Sequence, residues 1–454
     1  MKTIPASLDN GLFPAPSLRV LSLLESAGFE AWFVGGCVRD AFLGRKAQDV
    51  DVTTSAPWQE VERVFLSEGC AVHRTGVKHG TVTVVVDGSA FEVTTFRVDG
   101  EYLDGRHPES VSFSTSIADD LARRDFTINA MAYHPTRGLQ DPFEGRLDLE
   151  RGIIRAVGNP RKRFREDALR ILRACRFMSQ LGFRIEYDTF LGMLECKSMM
   201  VGLSAERIVY EMDRFLLGDY VHDALMTCVD VLGPVIPELV ACKGFNQNTP
   251  YHIYDVLEHT AYVVHHSQPE RLNRWAALFH DIGKPPTYFN RDDGIGHFYG
   301  HPAVSVMIAD GTMRRLKMAP AFTERVLTLV RIHDDLIDDN PRAVKRALAR
   351  LGGDVSLFGA LCDLKRADAL SQAPQCYGRV ELAESLRRTM DEIVSSGDAF
   401  SLKHLAVTGE DVMALGVEAG PRVGELLRSA LSAVIDGAVE NSREELLAYL
   451  GERA

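Results

Sequence analysis

Apolar positions along this chain follow two spacings, strand-like near the beginning and helix-like further on. Over residues 18–27 apolar side chains recur at helical intervals, with Ser17 before them and Gly28 after, which predicts a capped amphipathic helix. Trp32, Phe33 and Val34 form an apolar run that stops at Gly35-Gly36, as a buried strand entering a tight turn does. Residues 37–43 read as a short helix ended by Gly44, and Asp49-Val-Asp51-Val as an extended return. Another short helix is predicted over 61–66. The β-rich run 81–86, a turn at Gly88 and the run 91–96 predict a hairpin that extends the sheet. Residues 97–113 carry Gly100, Gly105, Pro108 and many charges, and read as a mobile loop.

Beyond Asp119 the helical spacing dominates. Arg123-Arg124-Asp125 opens an apolar stretch that includes Asn129, and Asp141-Pro-Phe-Glu-Gly145 reads as a turn. Residues 166–177 are helical by spacing, with Leu169, Leu172 and Phe177 as apolar partners. Within them Asp167, Arg170, Arg173 and Arg176 recur every third residue, forming a slowly drifting polar stripe. Ser204 opens a further helix that runs through Glu211. From about residue 226 histidines accumulate, and residues 251–266 and 272–282 have helical patterns. Past residue 378 the chain is helical and charged, with Gly416, Gly420 and Gly424 around an interhelical turn.

Length and composition narrow the class. A chain of 454 residues has room for about three domains. A net charge of −12 argues against a protein coated with nucleic acid. Its distribution matters more, because residues 151–176 hold nine Arg or Lys against only Glu166 and Asp167. Eight scattered cysteines without a Cys-x-x-Cys argue against a zinc knuckle or a disulfide framework. With no secretory pattern before Asp9 and no apolar run of about 18 residues, a cytoplasmic protein without membrane association is expected.

Candidate chemistry follows from residue types at these positions. In an extended segment Asp49 and Asp51 share one face, where their charges repel unless a cation lies between them; oxygen-seeking Mg²⁺ suits the pair. Gly35-Gly36 allows a phosphate close to the backbone, and Arg39 lies one turn further on. Together these parts describe metal-assisted phosphoryl transfer. Asp167 accepts hydrogen bonds and Arg170 donates them. Such a pair matches the amino group and bare ring nitrogen of cytosine and adenine, and mismatches guanine and uracil. In the histidine-rich region His259 with adjacent His280-Asp281 can ligate a divalent metal. Asp368 is the candidate fourth ligand, with Asp363 as its rival; His301 and His333 could complete a second metal position. Imidazole and carboxylate together favour transition ions over Mg²⁺.

The Phe33–Asp51 stretch resembles the signature of DNA polymerase β-like nucleotidyltransferases. Through about residue 450 the chain resembles bacterial class II CCA-adding tRNA nucleotidyltransferases and poly(A) polymerases, in the version with an HD domain. That resemblance implies a polymerase β-like α/β head (1–150), then an all-α neck (151–225), an HD phosphohydrolase-like domain (226–377) and a helical tail (378–454) with possible tRNA contact. It implies addition of CCA to the tRNA 3′ end from CTP and ATP, with Mg²⁺ in the head and a divalent transition metal in the HD domain. Asp49 and Asp51 match catalytic metal ligands, and Glu92 a third carboxylate. Gly35, Gly36, Arg39, Arg124, Asp167, Arg170, Arg173 and Arg176 match nucleotide-binding positions, and the Ser204–Glu211 motif braces the nucleotide helix. The flexible loop matches 97–113. The rival activities are A-only addition, poly(A) synthesis, and an HD phosphohydrolase whose head serves as an RNA-binding module. A non-enzymatic RNA-binding protein is disfavoured by the intact Asp49/Asp51 pair.

Overall fold

Ala31–Val34, four buried residues, is the strand β1, and both of its faces are covered, which is why the run is apolar without alternation. On one face Phe33 stacks on Phe13 with ring centroids 4.4 Å apart. On the other, Trp32 and Val34 pack with Phe96, Leu121, Ala132 and Val157. The computed structural model describes residue 8 and residues 10–46, 49–99, 111–291 and 294–454.

Eight further strands follow in the head: β2 (Asp51–Thr54), β3 (Ala71–Gly76), β4 (Thr81–Val86), β5 (Ser89–Thr95), β6 (Arg97–Asp99), β7 (Val111–Phe113), β8 (Ala132–His134) and β9 (Gly138–Gln140). Six of these and β1 form one seven-stranded sheet in the order β3-β4-β5-β2-β1-β8-β9. Within it β2 and β5 are parallel, with Asp51 directly opposite Glu92. The predicted hairpin is β4 and β5, joined at Asp87 and Gly88, both with positive φ. Polar, mostly exposed β3 has no hydrophobic alternation, and sequence reading missed it. The expected loop begins and ends as the paired strands β6 and β7; residues 100–110 lie outside the described residues.

Helices α1 (Ala15–Ser26) and α3 (Trp58–Ser67) pack on the sheet, and α2 (Gly36–Phe42) follows β1. Ser17 is not the cap of α1: Pro14 is, and the Ser17 hydroxyl donates to the Pro14 carbonyl from inside the first turn. Asp49 lies before β2, at a bend, rather than within a strand. After β7 come α4 (Ile117–Ala122), α5 (Gly145–Arg151), α6 (Pro160–Glu166), α7 (Leu169–Leu181), α8 (Tyr187–Cys196) and α9 (Ala205–Leu216). The helix expected over 166–177 is broken. Asp167 is extended (φ −147°, ψ 107°), and its carboxylate accepts the Leu169 N–H, starting α7 in the manner of a cap.

The chain packs as two units: one up to Tyr220 with Asp230–Val235, the other Val221–Val229 with Ile236–Ala454. The second is almost entirely helical. Its central helices are Val256–His266, Arg271–Phe279, His301–Arg315, Pro320–Ile332 and Val355–Leu370. Among the described residues no helix is long and apolar enough to cross a membrane.

Gly145 shows how tightly the turn after the head is built. Asp141 accepts the N–H groups of Gly145 and Arg146, and a Cβ on Gly145 would lie 2.1 Å from the Thr127 carbonyl oxygen. Backbone atoms cannot step aside cheaply, so Gly145→Ala is expected to destabilise the protein by about 1–3 kcal/mol, read as a lowered denaturant midpoint.

Candidate functional site

The turn after β1 needs glycine for two reasons. Gly35 has φ +80°, and a Cβ there would meet Arg124 Nη1 at 2.9 Å. Arg124 reaches this place because Asp120, fully buried on α4, holds its Nη2 at 3.1 Å and Arg123 at 2.6 Å. Burial alone would raise the Asp120 pKa, but these two guanidiniums hold it below the usual carboxylate value. Arg124 Nε is buried without a hydrogen-bond partner among the described residues. Arg39 on α2 is fully oriented: Nε and Nη2 donate to Asp40, Nη1 donates to Asn129 Oδ1 at 2.8 Å, and the guanidinium lies 5.1 Å from the Phe177 ring centre.

Asp51 opens β2 across from Val34 at the end of β1 and from Glu92 on β5. In-register parallel neighbours point the same way, so the two carboxylates share a face. Desolvation pushes the Asp51 pKa up to about 6; Arg124 opposes this, while Glu92 and Asp49 add to it. Asp51 and Glu92 side by side, with Asp49 near enough to act on Asp51, are oxygen donors of the kind a hard divalent cation takes.

Around α7, the polar stripe is rearranged. Arg173 donates to Asp125 Oδ2 through Nε (2.7 Å) and Nη2 (2.6 Å). Asp125 Oδ1 accepts Asn129 Nδ2, and so joins Arg173 to Arg39 through one carboxamide. Arg176 donates to Glu211 on α9 at 2.6 Å and lies over Phe177. Arg170 does not pair with Asp167. It donates to Glu166 and to the carbonyls of Arg163 and Arg123, while Asp167 Oδ2 takes Arg207 Nη2 at 2.7 Å. Asn129 and Arg207 were not assigned roles from sequence; each acts through a partner at least 40 positions away.

In the second unit the histidines and aspartates expected from sequence converge. His259 Nε2 lies 3.2 Å from Asp281 Oδ2, 3.1 Å from Asp368 Oδ1 and 3.3 Å from His280 Nε2. Asp281 Oδ1 faces His301 Nε2 at 3.2 Å and His333 Nε2 at 3.7 Å. Asp281 thus bridges two ligand groups. Asp368, not Asp363, faces them, since Asp363 is held by Asn273 and the Gln268 N–H. The Nδ1 atoms of His259, His280, His301 and His333 lie 2.7–3.2 Å from the backbone carbonyls of Ser371, Ala277, Phe298 and Val330. Carbonyls only accept, so each Nδ1 carries hydrogen and each Nε2 is left for an ion. Burial would lower the His259 pKa, but Asp281 and Asp368 raise it to about 9. His252, which sequence reading left without a role, joins His259 and Asp281 as a further candidate ligand, and Lys284 Nζ lies 2.6 Å from Asp281. A cleft of about 310 Å³ opens onto this cluster, with Tyr251, Tyr299 and Arg379 in its wall.

The Asp125 network has a measurable stake. Asp125 is buried, and although desolvation opposes it, Arg173 and Asn129 drive its pKa well below the ordinary value of 3.8. Its stabilising contribution is therefore present above pH 3.8 and fades as pH falls toward the folded value. Asp125→Asn should cost about 3–5 kcal/mol in urea unfolding at pH 7, with the gap to wild type narrowing below pH 3.8.

Comparison with known proteins shows the family of the chain. Residues 31–155 match the Poly A polymerase head domain, and residues 308–450 match the tRNA nucleotidyltransferase domain 2. The chain is 32% identical to the CCA-adding enzyme of Limosilactobacillus fermentum over 459 residues, covering 100% of this chain and 98% of that one. It is 36% identical to the CCA-adding enzyme of Geobacillus thermodenitrificans over 441 residues, 96% of each chain. The crystal structure of the Bacillus stearothermophilus CCA-adding enzyme in complex with CTP superposes with a TM-score of 0.74 at 31% identity, covering 96% of both chains. This chain belongs to the CCA-adding enzymes, the tRNA nucleotidyltransferases built on a poly(A) polymerase head.

Proposed function

We propose that this chain completes tRNA 3′ ends by transferring CMP, CMP and AMP from CTP and ATP, with Asp49 and Asp51 as the ion-holding carboxylates and Glu92 as their companion. The observation that carries the assignment is the crowding of Asp51 by Glu92 and Asp49 beside the Gly35-Gly36 turn. Mg²⁺ held there would supply the positive charge that activates the 3′ hydroxyl and steadies the triphosphate. Gly35 and Gly36 admit phosphate to the backbone, while Arg39 and Arg124 donate to its oxygens. Asp167 accepts the exocyclic amino group of C or A, and Arg170, Arg173 and Arg176 hold the neck side of the pocket in position. Binding of CTP by the B. stearothermophilus relative supports the nucleotide class. Eight unbridged cysteines fit a reducing cytoplasm.

The test is tRNA lacking its CCA end, given CTP and ATP separately and together, with product ends sequenced. CTP alone should give CC, and both nucleotides should give CCA. An A-only enzyme would need a CC end already present, and a poly(A) polymerase would run on past one A. Asp49→Ala should lower CCA addition about 10²–10³-fold or more without changing the melting temperature.

The bridged cluster of His259, His280, Asp281, Asp368, His301 and His333 favours a second activity, a metal-dependent phosphohydrolase in the second unit. Nitrogen-rich ligands suit Mn²⁺, Fe²⁺, Co²⁺ or Ni²⁺, which would activate water toward a phosphoester. In the cleft, Arg379 and Lys284 are placed to meet phosphate oxygens, and Tyr251 and Tyr299 offer apolar surface. The two activities should separate by variant. Asp281→Ala should abolish hydrolysis of phosphomonoesters or 2′,3′-cyclic phosphates with CCA addition intact, and Asp49→Ala should do the reverse.

A further inference from the structure

Beside the histidine–aspartate cluster, one uncharged side chain stands between two opposite charges. Gln372 follows the helix Val355–Leu370 and is 5% exposed. Its Nε2 donates to both oxygens of Asp368, at 3.0 Å each, and its Oε1 accepts Arg379 Nη1 at 3.0 Å. Asp368 Oδ1 is the oxygen that faces His259 Nε2. Arg379, in the first turn of the helix Gly378–Ser396, is exposed in the wall of the cleft over the cluster, its guanidinium 5.8 Å from the Tyr251 ring centre. A carboxylate only accepts and a guanidinium only donates, whereas a carboxamide does one at each end. Turning the amide over would break both contacts, so its neighbours fix its orientation. Direct pairing of Asp368 with Arg379 would spend each charge on the other. With Gln372 between them, Asp368 keeps its charge for the cluster and Arg379 keeps its own for the cleft. The preceding residue serves the same cluster, since the Ser371 carbonyl takes His259 Nδ1.

We propose that Gln372 is a positioning residue of the second site, orienting the ion ligand Asp368 and the phosphate-binding Arg379 through one carboxamide, an inference that rests on the phosphohydrolase reading. Hydrogen bonds to a metal ligand from outside the ligand set hold it in orientation, and losing one costs about 10–100-fold in metal affinity or activity. Gln372 supplies two such bonds to Asp368. At its other end it holds one arm of the Arg379 fork and leaves the rest of the guanidinium for phosphate oxygens. Ion and substrate phosphate are thereby recognised by side chains that share a single support.

The experiment titrates Mn²⁺ into wild type, Gln372→Met, Arg379→Gln and Asp281→Ala. It also measures kcat and KM for p-nitrophenyl phosphate, with inorganic phosphate as competitor, alongside thermal melting. The Mn²⁺ binding that Asp281→Ala removes is the share held by the cluster. Gln372→Met keeps the length of the side chain and loses both of its contacts. It should weaken that share about tenfold or more, and raise KM and the phosphate inhibition constant together. Arg379→Gln should raise those two constants about tenfold and leave Mn²⁺ affinity at the wild-type value. Gln372→Met with Mn²⁺ affinity and KM unchanged, whatever its melting temperature, would reduce Gln372 to a structural amide and overturn the proposal. So would a loss of Mn²⁺ affinity with KM unmoved, or an unchanged KM in Arg379→Gln, since the link between the two ends would then be absent. A wild type that hydrolyses no phosphoester with Mn²⁺, Fe²⁺, Co²⁺ or Ni²⁺ would instead remove the phosphohydrolase reading, and with it this one.

Discussion

One buried carboxylate ties distant segments of the first unit together. Asp125 takes Arg173 on one oxygen and Asn129 on the other, and Asn129 passes the constraint to Arg39. Burying a charge is expensive unless every lone pair is used, and here the Phe126 N–H also donates to it. The return is orientation. Two arginines from segments more than 130 positions apart are held at fixed angles, each with its guanidinium within 5.5 Å of the Phe177 ring centre. Asp120 does the same for Arg124, placing it against Gly35. All three guanidiniums are thus held in place by contacts within the protein itself.

The two candidate metal sites use opposite chemistry. The head gathers carboxylates on adjacent strands, an oxygen environment suited to hard ions that keep much of their water. The second unit gathers four imidazoles whose Nδ1 atoms are committed to backbone carbonyls, with Asp281 between them. Each site also shows its unmet charge, Asp51 by a pKa raised to about 6 and His259 by one raised to about 9.

Local pattern in the chain was enough for the strand–turn–helix of the head, the β4–β5 hairpin and the choice of His259, His280 and Asp281 as side chains that cluster. Each rests on neighbours within a few residues: an apolar run stopping at glycines, period-two alternation, adjacent His and Asp. Such signals reflect backbone geometry that any fold would share. What the pattern left open, tertiary structure decided. Glu92 faces Asp51 because of strand register. Asp368 rather than Asp363 reaches the cluster because of which face its helix turns toward His259. Asp167 leaves the helical stripe because its carboxylate serves the Leu169 N–H, and its partner Arg207 lies 40 residues away. Hydrophobic periodicity says which side of an element is buried. The partner of a polar side chain is set by packing between distant elements, and no local pattern encodes that.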